Sequence, residues 1–176
     1  MFCYKTPYLI VSMELLLSAL QNNLSSQDYL ILLEVMPKVI VSAFVGGIIG
    51  LSRERKGKPA GMKTHILLCV GACIFTSVSL IMKAGALAPD GSRIIAQIVS
   101  GIGFLGAGTI FRDDNKVFGL TSAAFMWVVA ALGVLVGIGG YVSGVILSLG
   151  CVFVMTLVNK IEVSFIQKSH PTEDKS

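Results

Sequence analysis

Apolar residues along this chain fall in long blocks parted by short polar segments. The blocks do not alternate apolar with polar as a half-buried strand does, which favours membrane spans over a large soluble core. Five blocks predict spanning helices, over residues 32–51, 65–82, 94–111, 120–138 and 141–158. At 18 to 20 residues each, and 1.5 Å rise per residue, they reach about 27–30 Å, just enough to cross a hydrocarbon core. Only Gly139-Gly140 separates the last two, so these must form a tight antiparallel hairpin. The expected fold class is all-α, a polytopic transmembrane helical bundle of five spans occupying residues 32–158.

The flanks read differently. Within residues 1–31, the apolar run Tyr8–Leu20 is too short to span comfortably and contains Glu14. Lys5 precedes it, as in a signal peptide, but Gln21–Asp28 offers no convincing small-residue cleavage site. An interfacial helix on the outer surface is the expected form. Residues 159–176 are polar and expected to be a cytoplasmic tail, too short for a second folded domain.

Composition and charge fit this picture. The chain of 176 residues is 54% hydrophobic and 14% charged, well under the roughly 25% charge of soluble proteins. Its net charge of +4 is small and clustered, which argues against a nucleic-acid surface. Arg53, Arg55, Lys56, Lys58, Lys63, Arg112, Lys116, Lys160, Lys168 and Lys175 would gather on one side of the membrane, and Lys5, Lys38, Lys83 and Arg93 on the other. The positive-inside rule then places the amino terminus outside and the carboxy terminus in the cytoplasm.

Glycine supplies the first candidate site residues. Between Arg93 and Arg112 the third span carries no charge, yet Gly101, Gly103, Gly106 and Gly108 interrupt it. Each weakens an isolated helix by roughly 1 kcal/mol, so either close approach of another backbone or a locally loosened helix presenting carbonyls and amides is expected there. Gly101-x-Gly103-x-x-Gly106 matches the dinucleotide fingerprint in letters only, because no strand and βαβ unit surround it. Gly46 and Gly50 make a small-xxx-small face for a neighbouring helix, and Gly71 and Trp127 are expected to pack inside the bundle.

Polar residues near the spans add to the list. Arg53 and Glu54 fall at the basic membrane edge, where Glu54 either pairs specifically or sits within a simple cationic anchor. Arg93, Gln97 and Gly101 share one helix face, with Ser100 alongside. Gln97 should therefore face protein or a watery vestibule, as an interhelical hydrogen bond or a ligand contact. Arg93 could snorkel or pair with Asp90. Asp113 and Asp114 could hold a cation, though Arg112 and Lys116 flank them and a solvated turn is favoured. Cys69 and Cys73, four apart in an apolar run, read as buried thiols. No span carries Asp or Glu in its central part, and no nucleophile–base set, Walker loop or metal-ligand cluster is found. No catalytic residue, metal or cofactor is expected, and the chain does not read as an enzyme.

These motifs resemble the MgtC/SapB family of bacterial inner-membrane proteins. The resemblance rests on Gly50-Leu-Ser-Arg53-Glu54, on Gly57–Ala72, on the long run Ser92–Gly108, on Val117–Ala124 and on Trp127–Ala131. It implies a multi-pass inner-membrane protein with a role in magnesium homeostasis at low Mg²⁺ and, in pathogens, in virulence. It further implies modulators that act on other integral membrane proteins, F-type ATP synthase among them. Mg²⁺ transport is the older family label, and a transporter or channel for Mg²⁺ or another small solute is the alternative. Partners are thus the lipid bilayer and membrane proteins, with a homo-oligomer left open and nucleic acid excluded. Arg53, Glu54, Arg93, Gln97, Ser100, Gly101, Gly103, Gly106 and Gly108 are the candidate partner- or ligand-binding residues. Two positions depart from the family pattern: Ser52 stands where Glu commonly precedes the Arg-Glu pair, and Ser122 replaces a frequent Thr. Larger members add a cytoplasmic ACT-type domain, which residues 159–176 are too few to form.

Overall fold

Each of the five long apolar blocks forms a helix, the third only as far as Gly108. The computed structural model describes residues 26–83, 91–113 and 116–169. Its helices are α1 (Ser26–Glu54), α2 (Met62–Lys83), α3 (Gly91–Gly108), α4 (Leu120–Gly137) and α5 (Tyr141–Ser169). The expected interfacial helix over Tyr8–Leu20 lies outside the described residues. Among those described, α1, α2, α4 and α5 are long and apolar enough to cross a membrane, while the apolar part of α3, Ser92–Gly108, is shorter. The fold is all-α and polytopic.

Element ends reflect local chemistry. α1 closes with Gly57 at φ 62°: the Gly57 amide donates to the Glu54 carbonyl and the Lys58 amide to the Arg53 carbonyl. That is a Schellman cap, in which a left-handed glycine satisfies carbonyls the helix leaves open. Gly139, at φ 99°, repeats the pattern after α4, with the Gly139 amide on Val136 and the Gly140 amide on Leu135. This cap makes the tight hairpin foreseen between the last two spans. Pro37 stands within α1 and removes one rung of its hydrogen-bond ladder. Contacts divide the chain into residues 1–36 and 37–176 at that point. The buried core lies within the second unit.

Three boundaries differ from the sequence reading. The third span stops at Gly108, not Phe111, because the Thr109 hydroxyl and amide both turn back onto the Gly106 carbonyl. A short antiparallel hairpin then forms from β1 (Phe111–Asp113) and β2 (Lys116–Phe118), with Phe111 opposite Phe118 and their rings stacked at 5.5 Å. Asp113 thus lies in a strand opposite Lys116, and Asp114 lies outside the described residues. At the far end, α5 continues through Ser169, so much of the expected polar tail is helix. No glycine or proline interrupts residues 159–169, and polarity alone does not end a helix.

α4 ties the unit together. Its buried Phe125, Val129, Leu132 and Val136 meet Val45 and Ile49 of α1 and Cys69 and Cys73 of α2. Its Met126 and Ala130 meet Ala72 of α2 and Ile98 and Ile102 of α3. α5 buries little. Large apolar side chains such as Phe44, Leu67, Phe75 and Phe153 point outward, as expected where the solvent is lipid.

Candidate functional site

Gly46 and Gly50 hold α1 against α2 by the absence of side chains. A Cβ at Gly50 would come 2.6 Å from the Met62 Cα, and one at Gly46 2.7 Å from the His65 carbonyl oxygen. A second glycine pair does the same on α4. A Cβ at Gly133 would collide with the Cys69 carbonyl oxygen, and one at Gly137 would lie 2.7 Å from the Thr76 Cβ. Helix α2 is therefore clamped by two small-xxx-small faces, the geometry that lets backbones touch in lipid. The first pair was legible in the sequence. The second carries the same four-residue spacing in Gly133-x-x-x-Gly137 and was missed among the apolar residues of α4.

Arg53 and Glu54 part company at the end of α1. Arg53 is only 4% exposed. Its Nη2 donates to the Ser122 hydroxyl at 2.8 Å, and its guanidinium lies 4.6 Å above the Phe125 ring. Together these contacts pin α1 to the first turn of α4, through a charge-assisted hydrogen bond and a cation–π contact. The Ser122 hydroxyl is what Arg53 uses, and a threonine there would supply the same oxygen. Glu54 turns the other way and accepts the Met62 amide at 2.7 Å, capping α2 where its dipole favours a negative charge. The partner expected for Glu54 is thus a backbone amide. His65, 1% exposed, packs beneath, with Nδ1 2.8 Å from the Gly61 carbonyl. Arg53 Nε and His65 Nε2 are buried and have no hydrogen-bond partner.

The third-span residues lie where little of the same chain reaches. Ile98, Ile102 and Gly106 face inward, and a Cβ at Gly106 would make ordinary contact with the Ala123 Cβ at 3.5 Å. At Gly101, Gly103 and Gly108 a Cβ would meet nothing within 4 Å. The packing expected for these three is therefore not made within this chain, because only one face of α3 turns toward α2 and α4. Arg93, Gln97 and Ser100 are exposed too, and Asp90 lies outside the described residues. Gln97 and Gly101 line a groove of about 600 Å³ between α2 and α3.

Two structural expectations are corrected. Gly71 opens into that same groove and packs against no helix. Trp127, 48% exposed, lies on the outer face of α4 because its neighbours Phe125, Met126 and Val129 take the inner one. Cys69 and Cys73 are buried free thiols, as expected.

Apolar periodicity also hid an internal polar set. Lys38, Ser42, Thr76, Ser77 and Ser148 are buried. Ser42, Thr76 and Ser148 return their hydroxyls to carbonyls three or four residues earlier, and Ser77 reaches the Gly137 carbonyl at 3.4 Å. Bonds of the first kind satisfy a hydroxyl without any partner helix. Among the described residues no three His, Cys, Asp or Glu side chains gather into a cation site.

Comparison with known proteins sets this arrangement in context. The sequence pattern of the MgtC family matches residues 39–164. YhiD of Escherichia coli K12 is 34% identical over 142 residues, covering 78% of this chain and 66% of its own length. SapB of Bacillus subtilis is 41% identical over 114 residues (61% and 49%). MgtC of Salmonella typhimurium LT2 is 37% identical over 116 residues (65% and 48%). The chain thus spans between about half and two thirds of the length of these relatives. No solved structure matches it. The matched segment takes in α2, α3 and α4 whole, with both glycine clamps, the Arg53–Ser122 link and the bare face of α3, and the chain is a multi-pass protein of the bacterial inner membrane that belongs to the MgtC family.

Proposed function

We propose that this protein is a membrane modulator in adaptation to low Mg²⁺, working by helix–helix contact with other integral membrane proteins, F-type ATP synthase among them. One observation carries the reading. Ala96, Ser100, Gly103 and Ala107 recur at helical spacing and are all exposed, and a Cβ at Gly103 meets nothing. A face of small residues in a membrane helix lets a partner backbone approach closely, and association in lipid depends on such contact. The basic end, with Arg55, Lys56 and Lys58 exposed, is taken as cytoplasmic and the amino terminus as external.

The test is a Gly103→Leu or Ser100→Leu variant. Either should accumulate and unfold like the parent, yet fail to support growth at low Mg²⁺ and lose crosslinks formed from an Ala107→Cys thiol on the same face. Full complementation by both variants would end the proposal. The second reading is a transporter, favoured by the name of YhiD, which gives magnesium transport as a provisional role, and by the buried polar set that includes Lys38. Mg²⁺ flux in proteoliposomes containing only this chain would decide for it.

A further inference from the structure

We infer that the groove between α2 and α3 seats one acyl chain of an anionic phospholipid, with its phosphate held at Lys63. The groove measures about 600 Å³ and runs along α2 from Lys63 to Phe75. At 1.5 Å per residue that is about 18 Å, close to the roughly 15 Å depth of a single leaflet. It begins at the basic edge of the membrane and ends near mid-depth.

Its chemistry is graded along the same line. Lys63 and Thr64 stand at one end, both exposed, close in the chain to the exposed Arg55, Lys56 and Lys58. Beyond them the walls are apolar apart from the Gln97 amide of α3, with Leu67 and Phe75 on one side and Leu105 on the other. Gly71 and Gly101 open the middle, since a side chain at either would project into the groove without meeting protein. Ala72, Ile98 and Ile102 close the floor. A ligand with an anionic head and a long apolar tail matches the basic end and the largely apolar walls at once.

Length separates this occupant from a partner helix. The groove ends at Phe75, about one leaflet deep, whereas a spanning helix seated in it would have to continue across the other leaflet. The bare Gly103 face proposed for protein contact points elsewhere on α3, so the two surfaces can be tested separately.

The experiment is native mass spectrometry of the full chain released from detergent with equal amounts of dioleoyl phosphatidylglycerol and dioleoyl phosphatidylcholine. The parent should keep one phosphatidylglycerol in preference to phosphatidylcholine. Lys63→Gln should reduce that preference about fivefold, without changing the unfolding temperature. Gly71→Leu and Gly101→Leu should lose the retained lipid of either kind. Gly150→Leu, on α5 outside the groove and also in open space, should behave as the parent. Three results would overturn the inference: equal retention of both lipids by the parent, an unchanged preference in Lys63→Gln, or a polypeptide crosslinked at a Gly101→Cys thiol in native membranes. Because Lys63 is exposed, its variant decides the matter even if the leucine variants fail to fold.

Discussion

Two sets of glycines in this protein share a composition and differ in every consequence. Gly46 and Gly50 of α1 and Gly133 and Gly137 of α4 lie against the backbone of α2, where even a methyl group would meet main-chain atoms or a buried side chain. Gly101, Gly103 and Gly108 of α3 have nothing beside them. A glycine in a membrane helix leaves room for something to approach it closely. In the first set that neighbour is this chain's own helix. In the second, on our reading, it is supplied from outside, by lipid at Gly101 and by a partner helix at Gly103. Substitution should therefore unfold the bundle in one set and silence its contacts in the other.

That contrast can be broken or sharpened by stability measurements in detergent, with thiol-reactive dye labelling of the buried Cys69 and Cys73 reporting unfolding. The largest effect is expected at Gly133→Leu and Gly50→Leu. Overpacking alone costs about 1–3 kcal/mol, and here the obstacle is backbone that cannot move aside, so neither variant should accumulate in membranes. Normal levels of both would show that the clamps are not structural.

Arg53→Ala comes next, at about 2–3 kcal/mol, since it removes the hydrogen bond to Ser122 and the contact over Phe125 together. Arg53→Lys should recover less than half of this, because an ammonium lacks the planar fork. Ser122→Thr should be neutral and Ser122→Ala intermediate. A lysine variant as stable as the parent would refute the pinning role.

Glu54→Ala should cost about 1 kcal/mol through loss of the α2 cap, and Glu54→Gln less, since its amide oxygen still accepts the Met62 amide. Least of all, Gly103→Leu should shift stability by under about 0.5 kcal/mol while abolishing the low-Mg²⁺ phenotype. A large loss of stability there would merge the two sets of glycines and remove the basis for assigning an external partner.

Much of the architecture was legible because membrane helices announce themselves by length and charge alone. The five helical blocks, the tight Gly139-Gly140 hairpin and the Gly46/Gly50 face needed no neighbours to be read. Glu54 and Arg53 stood out as unusual, but their partners did not. A capping amide eight residues ahead and a serine hydroxyl 69 residues away become neighbours only when α1, α2 and α4 meet. Trp127 and Gly71 were misread for a related reason. In a helix that is apolar all round, lipid and protein select the same side chains, so hydrophobicity cannot tell an outer face from an inner one.

The sequence alone determined that backbone polar groups must be satisfied within helices, where the apolar blocks lie, and which connecting segments are basic, because these depend on composition over a local window. That four of the five described helices are long enough to span, with α3 shorter, came from the structure. Tertiary structure decided which glycines are filled by this chain and which are left bare, where Arg53 spends its charge, and that α2 and α3 part into a groove. Those outcomes depend on which faces meet, and in a uniformly apolar setting only the fit of one backbone against another chooses among them.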